Sequence, residues 1–497
     1  MKITLHDTMS STVEVIVFPL IQGDTLKANI EAIAAQYNTS PTLLSNEFKA
    51  GFKETLPIYL DGAVKKIYLL GIGEKFGFAE FLAAFRSFTH NQKAKLPASI
   101  GISLTHLEEL QPSNRVEAIV NGIALGRYSI ALHKSVKPDT VEFANGKAEI
   151  HIATTIFDKK TQQVNANAAL EVAETQMRIY DLVNQPANHK TPTMLAEWAA
   201  ASGKKYGYEV TTFVGRDTLS ELGCHAINAV NKGSAEAPAL IVMEYKPKKA
   251  LKDTPKIGFV GKGVTFDTGG ISIKPSTNMS YMKSDMGGAA AVFGAMEAIA
   301  KLQLPIHVVG VVPSTENCVD GAGTKPSEVF GSYLGKTIEM IDTDAEGRLI
   351  LADGLAYINK NYQPDQIIDL ATLTGSIIAS LGYSAAGMFT NNDEVANNLS
   401  QIGQKFGEKV WRMPLFDNFK DDLNSDVADL RNLSGKPVAG AITAAKFLEV
   451  FTENHAAWVH LDIAGVAFTD NEFSSMRSAT AYGVRLLVEY VKHFTTK

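Results

Sequence analysis

Residues 337–351 read Thr337-Ile-Glu-Met-Ile-Asp-Thr-Asp-Ala-Glu-Gly-Arg-Leu-Ile-Leu351. The β-rich run up to Ile341 predicts a buried strand, and the apolar spacing from Leu349 onward predicts an amphipathic helix. Between them stand Asp342, Asp344, Glu346 and Arg348, each two residues from the next. Side chains at i and i+2 share a face only in an extended chain, so the run reads as a strand end projecting ionic groups in one direction. Acids aimed at one spot repel, and each ionised one is costly to bury unpaired. A divalent cation held by hard oxygen ligands relieves both costs. The competing reading is a solvated acidic turn in which Asp344 or Glu346 caps the helix.

Working outward, short β-rich runs recur at Ala239 to Met243, Lys256 to Val260, His307 to Val312, Ile338 to Ile341 and Gln366 to Leu370. Helical patterns at Gly287 to Lys301 and Leu349 to Asn359 separate several of them. Parallel strands joined by crossover helices fit this rhythm, and such sheets bind ligands at the carboxyl ends of their strands. Upstream, Val13 to Pro19, Lys66 to Gly71 and Ala148 to Ile156 read as strands and Val116 to Ala124 as a helix. A polar stretch from Thr161 to Asn167 reads as a linker, followed by a helix from Ala168 that Asn184-Gln-Pro186 ends. The expected architecture is α/β, in two parts. A smaller N-terminal α/β domain spans residues 1–165, and a larger C-terminal catalytic domain spans 166–497, with a central, mainly parallel sheet flanked by helices.

Composition narrows the function. The chain has 497 residues, long enough for more than one domain. With 47 basic and 53 acidic residues its net charge is −6, which offers no bulk positive field for nucleic acid. Cys224 and Cys318 are the only cysteines, too few for a thiolate zinc cluster or a disulfide framework, and a reducing, cytoplasmic setting fits. The N-terminus meets polar residues at once, and the longest nearly apolar run, Gly287 to Ala300, is too short to span a bilayer.

Two further segments carry ionisable groups to predicted strand or helix ends. One is Gly261-Lys-Gly-Val-Thr-Phe-Asp-Thr-Gly-Gly-Ile-Ser-Ile-Lys-Pro275; the other is Met282-Lys-Ser-Asp-Met-Gly-Gly288, with Asp285 at the start of the Ala-rich helix. Lys262 and Asp267 would point oppositely on a straight strand, and Gly261 and Gly263 supply backbone freedom to bring them together. Asp267, Asp285, Asp344 and Glu346 bring four negative charges, which two divalent ions would neutralise. A neutral, metal-bound Lys262 is compatible with burial, while Lys274 and Arg348 remain free to face an anion or a developing oxyanion. Singly, Asp267 and Asp285 fit helix caps or turn acids equally well, and Lys274 a surface loop. Neither phosphate-loop pattern is met: the glycines at 258, 261 and 263 miss the dinucleotide spacing, and Phe330 stands where Gly335-Lys-Thr337 would require a glycine.

Together these segments resemble the signatures of the leucyl (cytosol) aminopeptidase family, dinuclear-metal hexameric exopeptidases. Asp342-Thr-Asp-Ala-Glu-Gly-Arg-Leu349 is similar to one signature and the two segments above to others. Ala371-Thr-Leu-Thr-Gly375, Trp458-Val-His-Leu-Asp-Ile-Ala-Gly465 and Asp181-Leu-Val-Asn-Gln-Pro-Ala-Asn188 also fit. The likeness covers about 170 to 470; upstream it is confined to Gly122-Ile-Ala-Leu-Gly-Arg-Tyr128. The resemblance implies one metal ion on Lys262, Asp267, Asp285 and Glu346 and a second on Asp267, Asp344 and Glu346, with Zn²⁺ or Mn²⁺ expected. It implies a hydroxide between the ions that attacks the scissile carbonyl, Lys274 stabilising the tetrahedral intermediate, and a bicarbonate at Arg348 as general base. Met282, Thr372, Leu373 and Gly375 would line the substrate pocket, and the free α-amino group would approach Asp285. Peptides with a free N-terminus, Leu-type residues preferred, are the implied substrates, and a homohexamer the implied assembly. The family usually has Asn where this chain has Asp342, which adds a negative charge beside the site.

Two other functions compete. Some family members also bind DNA in a regulatory role, against which the net charge of −6 and the lack of a basic stripe both speak. A dinuclear hydrolase of another amide or ester would use the same acids, but would not demand a free amine on its substrate.

Overall fold

The computed structural model describes residues 1–107, 114–136, 141–144, 147–155 and 158–495. They fall into two compact units, Met1–Met177 and Arg178–Lys497. In the first, six strands lie in the order Lys2–His6, Glu149–Ala153, Ser99–Ser103, Val15–Ile21, Lys66–Gly73 and Thr55–Tyr59. Every neighbouring pair is parallel except the last. All seven side chains of Val15–Ile21 are buried, which is why this strand is apolar throughout instead of alternating. The strand expected from Ala148 to Ile156 is Glu149–Ala153, and Ile156 lies outside the described residues. Helices Phe78–Gln92 and Arg115–Gly126 touch backbone to backbone. A Cβ on Gly122 would stand 2.5 Å from the Leu82 carbonyl oxygen, and one on Gly126 2.5 Å from that of Arg86.

Thr161 to Asn167 is not a linker. These residues open a helix, Lys159–Asn184, that begins at Lys159 instead of Ala168 and ends where Asn184-Gln-Pro186 predicts. Asp158 accepts a hydrogen bond from the Thr161 amide at 3.0 Å, and the Thr161 hydroxyl together with that amide holds its carboxyl below the usual range. The buried face of the helix there is built on Ala166, Ala169, Val172 and Ala173. Alanine carries little hydrophobic signal, so the interleaved Gln and Asn residues dominate the sequence pattern.

The second unit is built on a nine-stranded sheet. Its order is Val410–Arg412, Ala386–Thr390, Trp458–Asp462, Gln366–Ala371, Ile257–Gly261, Val308–Asn317, Ala239–Tyr245 and Glu209–Val214, with Gly263–Asp267 also paired to Val308–Asn317. The central pairs are parallel and the flanking ones antiparallel, with one further parallel pair at the Val410–Arg412 edge. The helix Gly287–Lys301 is buried from Gly287 to Ala300. Its small residues let it lie against the sheet: a Cβ on Gly288 would come within 1.9 Å of the Leu370 carbonyl oxygen. Among the described residues no helix is long and apolar enough to cross a membrane.

The strand before the acidic run departs from expectation. Thr337–Glu339 pairs with Val329–Gly331 and Leu430–Arg431 in a separate three-stranded sheet and is no part of the central one. It ends at Glu339, and the chain then turns before entering the helix Gly347–Tyr362. No extended row with an i, i+2 face exists. Asp342 instead bends the chain, its Oδ1 accepting from the Asp344 amide at 2.9 Å.

Candidate active site

Three segments converge near the carboxyl ends of the central strands. Lys262 sits at the break between Ile257–Gly261 and Gly263–Asp267. The glycines on either side do not take left-handed conformations; they permit close contacts, a Cβ on Gly261 standing 2.5 Å from the Gly288 carbonyl oxygen and one on Gly263 2.8 Å from that of Pro313. The left-handed residues are Gly269 and Gly270, with φ of 87° and 65°, which turn the chain after Asp267 and bring Lys274 back. Asp285 follows the short 3₁₀ helix Met279–Ser284, just ahead of the Ala-rich helix. Asp344 lies in the turn, and Glu346 occupies the N-cap position of Gly347–Tyr362 without its side chain capping that helix.

The side chains interlock. Lys262 Nζ lies 2.9 Å from Asp285 Oδ2, 2.8 Å from Glu346 Oε1 and 2.9 Å from the Thr372 carbonyl oxygen. Thr372 Oγ1 donates to Asp285 Oδ1 at 2.8 Å. Lys274 Nζ lies 2.8 Å from Asp267 Oδ2 and also contacts Asp344 Oδ1. One oxygen from each of Asp267, Asp344 and Glu346 falls within 4.8 Å of the others. Lys262, Asp267, Asp285 and Glu346 are buried, while Asp344 and Lys274 reach toward solvent.

Four carboxylates against two ammonium groups leave the cluster short of positive charge. Burial pushes the Asp285 carboxyl up to about 6 and that of Glu346 up to about 8, with Asp267 adding repulsion to each. Burial alone would lower Lys262, but Asp285, Glu346 and Asp267 outweigh it and hold its ammonium charged. A neutral Lys262 therefore requires another cation to take over these carboxylates. Glu346 Oε2 is buried with no hydrogen-bond partner among the described residues. An orphaned carboxylate oxygen beside a crowd of like groups fits hard divalent cations well.

Arg348 lies inside the helix two residues after Glu346, its Nη1 donating to the Asn432 carbonyl oxygen at 2.9 Å. Its Nε is buried with no hydrogen-bond partner among the described residues, and burial lowers the guanidinium to about 10. Leu373 donates its amide to Asp462 Oδ1 at 3.2 Å, and Thr374 Oγ1 donates to Asp462 Oδ2 at 2.6 Å. Gly375 opens the helix Gly375–Leu381 with open space where a Cβ would stand. Met282 sits half-buried on the 3₁₀ turn that leads to Asp285. Asp342 folds back on its own turn, its Oδ1 accepting from the Asp344 amide.

Three residues outside the sequence argument hold the site in shape. Asn432, fully buried, accepts from the Ile341 amide at 2.7 Å and donates to the Asp342 carbonyl at 2.7 Å. Asn317 donates to Asp267 Oδ1, and Thr343 Oγ1 donates to the Gly269 carbonyl. Asn317 ends a strand in the polar run Ser314-Thr-Glu-Asn317, which follows the apolar stretch of the same strand. Asn432 lies far along the chain, with nothing local to mark it.

Residues 178–488 match the catalytic domain of the cytosol aminopeptidase family. The chain belongs to that family. It is similar to a probable cytosol aminopeptidase of Chloroherpeton thalassium, 39% identical over 99% of each chain. One from Chlorobaculum tepidum is 41% identical over 90% of each. Among solved structures, the bottromycin maturation enzyme BotP in complex with Mn superposes with a TM-score of 0.83 at 29% identity, over 97% of this chain and 100% of that one. As a member of the family the protein is a metallo-aminopeptidase, a hydrolase acting on peptides.

Proposed function

We propose that this aminopeptidase uses two divalent metal ions, Zn²⁺ or Mn²⁺, to release N-terminal residues, Leu-type ones preferred, from peptides with a free N-terminus. The observation that carries this is the interlocked cluster of Lys262, Asp267, Asp285, Asp344 and Glu346 with its orphaned Glu346 oxygen. Those five residues would hold the ions, Asp267 and Glu346 serving both. BotP, which shares the fold, was solved with Mn. Bound there, the ions would polarise the scissile carbonyl and lower the pKa of a water to near neutrality.

The protein's own groups do the rest. Lys274, charged and partly open to solvent, donates to the carbonyl oxygen as negative charge develops on it. Asp285 receives the substrate's α-ammonium group, which restricts cleavage to the first residue. Thr372 holds the Asp285 carboxylate in place, while Met282, Leu373 and Gly375 line the pocket for the departing side chain. Arg348 would hold a bicarbonate, its buried Nε having no hydrogen-bond partner among the described residues. The catalytic chemistry belongs to residues 166–497, residues 1–165 forming an accessory α/β domain. A cytoplasmic homohexamer is the proposed working state.

Comparing the hydrolysis of Leu-amide and N-acetyl-Leu-amide by Mn²⁺-loaded protein tests this reading. Only the free amine should be cleaved. Equal rates on both would instead indicate a hydrolase of general amide or ester specificity.

A further inference from the structure

Asn317 ends the strand Val308–Asn317 and is 4% exposed. Its carboxamide nitrogen donates to Asp267 Oδ1 at 2.8 Å and to the Thr343 carbonyl oxygen at 2.9 Å. Both partners can only accept, so the orientation of the amide follows from the chemistry. The Gly269 amide supplies a second donor to Asp267 Oδ1 at 2.8 Å, leaving Oδ2 to face Lys274. The backbone of Asn317 joins the same lock, its carbonyl oxygen accepting from the Thr268 amide at 2.8 Å and from Thr268 Oγ1 at 2.9 Å.

Thr343 closes the lock from the other side. Its Oγ1 donates to the Gly269 carbonyl at 2.6 Å and accepts from the Ser272 amide at 2.8 Å. Gly270 makes room for both, since a Cβ there would stand 2.9 Å from Asn317 Oδ1 and 2.9 Å from Thr343 Oγ1. One carboxamide thus joins the Asp267 side chain to the residue preceding Asp344, two segments far apart in sequence.

We infer that Asn317 is a positioning residue for metal binding: it fixes the rotation of the Asp267 carboxylate and, through Thr343, the spacing between Asp267 and Asp344. The inference rests on the metal reading proposed above. Without the carboxamide, Asp267 would keep one donor on Oδ1 and could turn, and the Thr343 carbonyl would lose its side-chain partner.

Calorimetric titration of Mn²⁺ into the chelator-treated full chain tests it, using Asn317→Ala, Asp267→Asn and the double variant. Asn317→Ala should weaken Mn²⁺ binding about 10- to 100-fold, in line with the loss of a partner behind a ligand. Asp267→Asn should weaken it at least as much, and the double variant should be no weaker than Asp267→Asn alone, because the carboxylate that Asn317 orients is then gone. Asn317→Leu keeps the size but cannot donate, and should show the same loss should the alanine variant fail to fold. Wild-type affinity in both Asn317 variants would overturn the inference, as would losses that multiply in the double variant. Wild-type affinity in Asp267→Asn would sink the metal reading as well, which separates the two failures.

Discussion

Lys262 shows how tightly single residues are constrained here. A Cβ on Gly347 would stand 2.5 Å from Lys262 Cε and 2.6 Å from its Nζ, so only glycine leaves space for this lysine beside Glu346. Gly347→Ala should displace Lys262, destabilise the fold by about 1–3 kcal/mol as overpacked sites do, and sharply lower turnover. Urea midpoints and Leu-amide assays on the same preparation would check both effects; an unchanged midpoint with full activity would show that the ammonium need not sit there. Lys274 and Asp344 touch each other yet should fail differently. Lys274→Ala, like Arg348→Ala, should keep its metal and lose about 10²- to 10³-fold in kcat, the cost of removing a group aimed at developing charge. Asp344→Ala should lose metal itself, as elemental analysis after dialysis would show.

Elements carry the site in ways that local sequence only partly discloses. The Ala/Gly-rich helix was legible because a segment apolar on all sides must be buried, and its bounds fall where expected, at Gly287 and Lys301. The acidic run was legible as chemistry but not as conformation. The two-residue spacing suggested a strand, whereas Asp342 makes a turn and a distant Asn432 anchors it. Side chains that reach across some ninety residues leave no periodic trace in sequence. The start of the C-terminal helix Val484–His493 is held in a similar way by Glu408, whose Oε2 accepts from the Gly483 and Leu486 amides at 2.9 and 2.8 Å. Burial pushes its carboxyl from 4.5 up to about 7, although those amides and Arg485 pull it down. The folded chain then holds a proton that the unfolded chain releases near pH 4.5, so the contribution of Glu408 to stability declines as pH rises toward 7. Between pH 5 and 7.5 the wild type should lose more stability than Glu408→Gln, as urea midpoints would record. Identical pH profiles would contradict this.

At the scale of the molecule, the mainly parallel sheet of the second unit was readable from strand–helix alternation, because buried parallel strands are apolar throughout and crossover helices separate them. The membership of Thr337–Glu339 in a separate small sheet was not, since pairing partners are nowhere encoded in a strand's own residues. What the fold achieves is convergence: Lys262 and Asp267 come from the central sheet, Asp285 from a helix entry, and Asp344 and Glu346 from a turn between the small sheet and a helix. The proposed pair of divalent cations would make that gathering of carboxylates chemically useful. Anomalous diffraction at the manganese edge, on crystals of the Mn²⁺-loaded protein, examines this directly. Two anomalous peaks per chain, both within coordination distance of Asp267 and Glu346, are expected; peaks only elsewhere, or none, would contradict the proposed centre.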